Sequence, residues 1–260
     1  MPHPPRYGTV APAVLIDLHT HTSPLSHDSL LSPDELVEAA KAAGLNAVCL
    51  TEHDFTWDPE KARDLAQRHS FTVIPGIEVN TEDGHFLAYG LNRYVYGMHR
   101  TVELARLVDA AGGALVAAHP HRRQLPPYGG PLRALRGSPS ASGPWRLRND
   151  GGPDGPTGEE SPAWGEALEG AAANPAYGYV CAMETINGRG SQRENAFSVA
   201  LCERLGLPAV AASDAHLRSD VGRCATEFET RIDGVEGLIA ELRAGRCRPR
   251  LLSYRQPGLR

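Results

Sequence analysis

The sequence has no excess of basic residues, no C-x-x-C pair and no apolar run long enough to span a membrane. Lys and Arg number 26 against 31 Asp and Glu, and the formal net charge is -5. That balance excludes the broad positive field that long nucleic acid requires, so no long nucleic acid is expected as a partner. A few local Arg residues suffice for a small phosphorylated ligand. The five cysteines, Cys49, Cys181, Cys202, Cys224 and Cys247, are odd in number and lack metal-ligand spacing. They read as buried, reduced thiols of a cytoplasmic protein, which excludes a disulfide framework. The lack of a long apolar run excludes a membrane span, and no signal peptide is expected. No internal repeat is visible, and the oligomeric state is not legible.

What the chain does have is a hydrophobic content of 41% over 260 residues, enough for one α/β domain with a substantial core. It also has 11 histidines, many of them beside acidic residues. Residues 1–12 are Pro-rich and read as a tail, and 13–260 as the domain. Short apolar strands are expected at 13–18, 47–51, 72–74, 86–89, 114–118, 179–183 and 208–212. Helices are expected at 33–43, 58–69, 101–111, 163–173 and 192–205. A strand at 226–230, a helix at 235–244 and a strand at 249–252 close the chain. Ser32, Pro33 and Glu35 form a helix start: an N-cap, a proline at the first helical position and a capping box. From about 122 to 162 the pattern fails into Gly, Pro, Ser and Arg without a period, which reads as a long insertion, either a lid or an unstructured loop.

The order is mostly strand then helix, and the strands are nearly continuous apolar runs, as in a buried parallel sheet. About seven such strands closing on themselves give an α/β fold of the distorted (β/α)7, TIM-like barrel class. In a barrel the C-terminal strand ends share one face, where active sites are built. His19 and His21 end the first strand, and their alternation puts both on one side. Glu52 and His53 follow the second strand, Glu78 the third, His119 the fifth, and Asp214 and His216 the seventh. Asp28 lies in the first loop beside its rival His27, and His85 precedes its strand on the incoming loop. Imidazoles and carboxylates without thiolates suit Zn, Mn or Fe. The candidates His19, His21, Asp28, His53, Glu78, His85, His119, Asp214 and His216 are more than one ion needs, at about three to five protein ligands each. They therefore argue for two or three divalent ions with a bridging carboxylate.

The segments Asp17-Leu18-His19-Thr20-His21, Thr51-Glu52-His53-Asp54, Gly76-Ile77-Glu78, Ala118-His119-Pro120 and Ser213-Asp214-Ala215-His216 resemble, in order, the motifs of the PHP (polymerase and histidinol phosphatase) superfamily. The resemblance runs from about Ala13 to Arg223, interrupted by the insertion. It implies a distorted (β/α)7 barrel with a cluster of two or three metal ions. It implies that His19, His21, Glu78 and Asp214 hold one ion. Glu78 bridges to a second ion held by His119 and His85, and His53 and His216 hold a third with Asp28 or His27. The family's second motif usually reads Asp-His; here Glu52 stands in that place and is expected to orient a ligand from outside the first shell of the metal. Members of the nucleotide phosphodiesterase type often carry an inserted domain between the second and third motifs, and this chain has none.

The implied reaction is hydrolysis of a phosphate ester of a small phosphorylated metabolite or nucleotide by a metal-bridging hydroxide. Arg122, Arg189 and Arg223 follow motif or strand-end loops and are candidates for binding phosphate in fork geometry. His121 reads as an aromatic wall. Glu184 reads equally as an outer-shell or substrate-side carboxylate and as a structural cap, and Asn187-Gly188 as a turn. Asp17 reads as facing away from the His pair in a structural hydrogen bond. Two other functions stand beside phosphoester hydrolysis: amidohydrolase-like hydrolysis, since a metal hydroxide does not choose phosphorus over carbon, and a regulatory metal-binding module without turnover. The full ligand set argues against the latter.

Overall fold

Local chemistry sets the helix starts. In the computed structural model, which describes residues 13–122 and 162–252, Ser32 caps helix α1 (Pro33–Ala42) with a complete capping box to Glu35. Ser191 and Glu194 do the same for α5 (Gln192–Leu205), which Gly206 ends in the left-handed conformation. Asp58 and Pro59 start α2 (Pro59–His69). The other helices are α3 (Thr101–Ala110), α4 (Pro162–Ala172) and α6 (Val235–Arg243). No helix of the described residues is long and apolar enough to cross a membrane.

The strands are β1 (Val14–Thr20), β2 (Ala47–Leu50), β3 (Thr72–Thr81), β4 (Gly84–Tyr89), β5 (Ala114–Ala117), β6 (Ala182–Asn187), β7 (Ala209–Ala212), β8 (Cys224–Phe228) and β9 (Cys247–Leu251). They form one mixed sheet in the order β7-β6-β5-β4-β3-β2-β1-β8-β9. The sheet curls until β7 returns to β1. Thr20 and Ala215 form a parallel bridge, and the His21 N–H donates to the Ala215 carbonyl at 2.9 Å. Thr226 of β8 ties into the same seam, exchanging hydrogen bonds with the backbone of Ala211 at 3.0 and 2.8 Å. The result is a nearly closed, TIM-like α/β barrel in a single domain.

Helices pack on the outside in two clusters. Leu36, Val37 and Leu65 of α1 and α2 pack with Val48 and Leu50, and Leu104, Phe197 and Leu201 of α3 and α5 pack with Ile77 and Phe86. A third cluster joins Ile16, Leu18, Ile74, Tyr89 and Val116 to Leu238 and Leu242 of α6. The α6 residue Arg243 donates to the Gly113 carbonyl at 2.7 Å, just before β5. Helix α6 thus closes the end of the barrel opposite His119.

Several expectations are corrected. The sheet is not parallel throughout: β4 runs antiparallel to both β3 and β5, and β8 is antiparallel to β1. The third strand does not stop at 74 but runs on to Thr81, so Glu78 lies within a strand and not after one. His85 is not on an incoming loop; it is in β4, paired with Asn80. Because β4 is reversed, its first residues lie at the end where the parallel strands finish. The sixth strand starts at Ala182, and Tyr179 ends a 3-10 turn (Pro175–Tyr179). Pro175 fixes the turn there. The insertion expected at about 122–162 falls almost entirely outside the described residues, as do the tail at 1–12 and the last residues of the chain.

Candidate metal centre

Strand ends from around the barrel bring their polar side chains to one point. The β1 register carries His19 and His21 there, both fully buried. Glu78 arrives from the middle of β3, and its neighbour across the hairpin, His85, hydrogen-bonds it through Nδ1 at 2.7 Å. His119 follows β5 in a left-handed backbone conformation (φ 27°), and Asp214 follows β7 in another (φ 53°). Non-glycine residues rarely adopt positive φ, and such strain is kept where the surroundings over-determine it.

Glu78 is the hub. Its Oε2 lies 3.3 Å from His19 Nε2, 3.2 Å from His21 Nε2 and 2.8 Å from His53 Nδ1. Its Oε1 lies 3.0 Å from His119 Nε2. Asp214 Oδ1 stands 3.6 Å from His19 Nε2 and 3.4 Å from His21 Nε2. Asp28 Oδ2 lies 3.4 Å from His53 Nε2 and 3.2 Å from His216 Nε2, whereas His27 is exposed.

These residues fit divalent cations on their own geometry. His19 Nε2, His21 Nε2, His53 Nδ1, Glu78 Oε2 and Asp28 Oδ1 are buried without a hydrogen-bond partner. A buried polar atom left so is costly, and cations shared among these side chains would satisfy them. Three overlapping groups have ligand atoms within 4.8 Å of one another: His21, His53 and His216; His19, Glu78 and His119; and His19, His21 and Asp214.

The electrostatics point the same way. Burial alone would raise the Glu78 carboxyl, but the imidazoles of His19 and His85 and the His119 hydrogen bond hold it well below the carboxylate range. Asp214 is likewise held well below it, burial being outweighed by His19, His21 and Arg122. Burial alone would lower His53, yet Asp28 and Glu78 push it up to about 10. His19 is driven well above its ordinary value against burial by Glu78, Asp214 and Glu184. The carboxylates therefore demand positive charge at the place where the imidazoles meet.

Behind the candidate ligands lies a hydrogen-bonded support. His21 Nδ1 contacts Ser26 Oγ at 3.1 Å, and the buried Glu52 accepts from Ser26 Oγ, the Thr22 hydroxyl and backbone, and Trp57 Nε1. The Glu52 side chain thus reaches His21 through Ser26, and its backbone carbonyl accepts from Glu78 N at 3.1 Å. Asp17 lies beneath His19 and does not face away from it: its Oδ1 accepts from Ser213 N at 2.9 Å and from His19 N at 3.4 Å. Burial pushes the Asp17 carboxyl up to about 7.

The arginines divide. Arg122 is mostly buried and pairs through Nη1 with Asp214 Oδ2. Arg223 is half exposed, donating to the Gly188 carbonyl at 3.1 Å and pairing with Asp220 at 3.1 Å. Arg189 is half-buried, its backbone N–H donating to Asn187 Oδ1 at 2.9 Å. His121, also in a left-handed conformation, packs its ring 5.1 Å from Phe197. Asn187, read from sequence as a turn, ends β6 buried and hydrogen-bonds both Glu184 and Asp214. Its only sequence signal is that it ends an apolar strand, as the ligands do.

Two family patterns match the chain: the PHP domain over residues 17–123 and the PHP-associated pattern (PHP_C) over 192–247. Together they span more than half of it. The chain carries a PHP domain. Among curated relatives of this PHP chain, the 5'-3' exoribonuclease Rnm of Salmonella typhimurium is 31% identical over 132 residues, 48% of this chain and 44% of the relative. The PolC-type DNA polymerase III of Oceanobacillus iheyensis is 35% identical over 75 residues, 28% of this chain and 5% of that one. The chain thus spans less than half the length of either. Among solved structures, PsfC from Pseudomonas syringae superposes with a TM-score of 0.53 at 17% identity, over 90% of this chain and 94% of that one. That likeness speaks for the fold.

Proposed function

We propose that this PHP chain is a metal-dependent phosphoester hydrolase. The observation that carries the reading is the convergence of imidazole nitrogens from His19, His21 and His53 on one buried oxygen of Glu78. In this reading Glu78 would be shared between ions. His19, His21 and Asp214 would complete one ion, His85 and His119 a second, and Asp28, His53 and His216 a third. The donor set suits Zn, Mn or Fe. When bound, such ions neutralise charge on phosphate oxygens and acidify a water.

The chain's own residues supply the rest. These carboxylates and imidazoles would hold the cations in a site already assembled, so little reorganisation would be left for the reaction. Arg122 is the best placed of the three arginines, its guanidinium already at the cluster on Asp214. A phosphate there would meet the planar N–H fork that suits its oxygens. Arg189 and Arg223 flank the loop after β6 and would act on more distant parts of the substrate.

The substrate class within this reading is a small phosphorylated metabolite or nucleotide. The similarity to an exoribonuclease supports a second reading, in which the end of a nucleic-acid strand enters the same site. A panel of phosphomonoesters, dinucleotides, short RNA and DNA oligomers and amides, with Mn, Fe or Zn supplied, separates these. Turnover of phosphoesters with the purified chain, lost at least about 1000-fold in His119→Ala while the melting temperature holds, is the expected result. No metal retained, or full activity in His119→Ala, rejects the site. Preference for oligomers over mononucleotides moves the assignment to the second reading.

A further inference from the structure

Of the strands β1 to β7, β6 alone places no candidate ligand in or just beyond itself. It nonetheless ends in two buried polar side chains, Glu184 at 1% exposure and Asn187 at 2%. In a regular strand, residues three apart point to opposite faces. Here the pairing of β6 with β7 shifts register between Glu184 and Ile186, an irregularity of the kind that re-aims side chains beside active sites. The shift lets both reach the cluster: Asn187 Nδ2 donates to Glu184 Oε2 at 3.0 Å.

This pair touches ligands from three other strands. Glu184 Oε1 lies 3.3 Å from His19 Nδ1. Glu184 Oε2 accepts the backbone N–H of His119 at 2.7 Å, at the residue held at φ 27°. Asn187 Nδ2 also lies 3.3 Å from Asp214 Oδ2, at the residue held at φ 53°. Asn187 is itself fixed, its N–H donating to Asn195 Oδ1 at 3.1 Å and its Oδ1 accepting from Arg189 N.

We propose that Glu184 and Asn187 are positioning residues that set the metal affinity of the centre through His19, His119 and Asp214. A hydrogen bond from His19 Nδ1 to Glu184 Oε1 puts the ring proton on Nδ1 and leaves the Nε2 lone pair facing Glu78 and Asp214. The same carboxylate anchors the strained turn that presents His119. Asn187 occupies one oxygen of Asp214 and leaves Oδ1 toward the two histidines of β1. Outer partners of this kind commonly change metal affinity by about 10- to 100-fold when removed. The inference rests on His19, His119 and Asp214 being ligands, and is independent of the substrate.

The test is Mn2+ binding by titration calorimetry, with Zn2+ retained per chain after dialysis as a second readout, and melting of the chelated protein as the control. Glu184→Gln keeps the shape but has one acceptor for the two N–H groups of His19 and His119. It is expected to weaken Mn2+ binding by about 10- to 100-fold with the chelated melting temperature nearly unchanged. Glu184→Asp is expected to recover part of the loss. Asn187→Ala, which removes the contact to Asp214 without touching His19, is expected to weaken binding less and serves if Glu184→Gln does not fold. Wild-type affinity in a folded Glu184→Gln, or in Asn187→Ala when the former is insoluble, overturns the proposal. A fall in chelated melting temperature with unchanged affinity in the folded fraction also overturns it, since that is a structural role. Absence of metal binding in the wild-type chain would instead end the functional reading itself.

Discussion

Asp17 shows how one residue can burden a fold next to a working site. It is fully buried, and Oδ2 has no hydrogen-bond partner. Its folded pKa is raised from 3.8 to about 7, chiefly by burial. The folded state therefore keeps the proton longer than the unfolded chain, and stability falls as pH rises from about 4 to about 7. Asp17→Asn removes the charge, and its new N–H faces the Ser213 hydroxyl, which also lacks a partner. The melting temperature of Asp17→Asn is expected to exceed that of the parent by at least about 4 °C at pH 8, with the gap closing at pH 4, both read by differential scanning calorimetry of chelated protein. A gap independent of pH would show that the carboxyl is not the cause. At this scale the sequence was a good guide to which side chains meet, because His and carboxylate recur at the strand ends that the barrel gathers on one face. It was a poor guide to Asp17 and Asn187, whose roles come from contacts with Ser213 and Asp214, nearly 200 and 27 residues away.

At the scale of elements, what the sequence states locally is what it states well. The capping boxes at Ser32 and Ser191 and the stop at Gly206 need only neighbouring residues, and α1 and α5 begin where those signals lie. Strand ends depend on partners, so the extension of β3 to Thr81 and the reversal of β4 were not legible: both arise from pairing with each other. Gly113 marks another such dependence. A Cβ there would stand 2.2 Å from the Tyr89 carbonyl, backbone that cannot swing aside. Gly113→Ala is expected to cost at least about 2 kcal/mol by urea titration, because β4 and β5 must separate. A cost under about 0.5 kcal/mol would mean that the strand ends yield easily.

Over the whole molecule, the barrel closes around a concentration of like groups that repel or attract according to pH. His53 has a folded pKa of about 10 against 6.5 unfolded, so its stabilising pairing is complete below about 6.5 and is lost as pH rises towards 10. Glu78 and Asp214 are depressed, so their contribution is present above about 4.5 and is lost as pH falls below it. Chelated protein is thus expected to melt highest near pH 5 to 6 and to lose stability steadily from about pH 7 to 9.5. With Mn2+ the ligand nitrogens are already deprotonated, and the upper limb is expected to flatten. Thermal melts across pH with and without chelator check this, and parallel curves would refute it. The barrel class was legible from alternating strands and helices, because that order has few closed solutions. The antiparallel seams were not, since short hairpins and crossovers look alike when the strands are only a few residues long.

The reversal of β4 has a consequence for how the centre is assembled in time. Glu78 and His85 sit on two arms of one hairpin, joined by the short turn between Thr81 and Gly84. Contacts so near in sequence close early, whereas His19 and Asp214 must wait for the two ends of the chain to meet. Glu78 and His85 are therefore expected to be in place before the barrel is shut. A cation captured by that hairpin would act as a template on which the later strands dock.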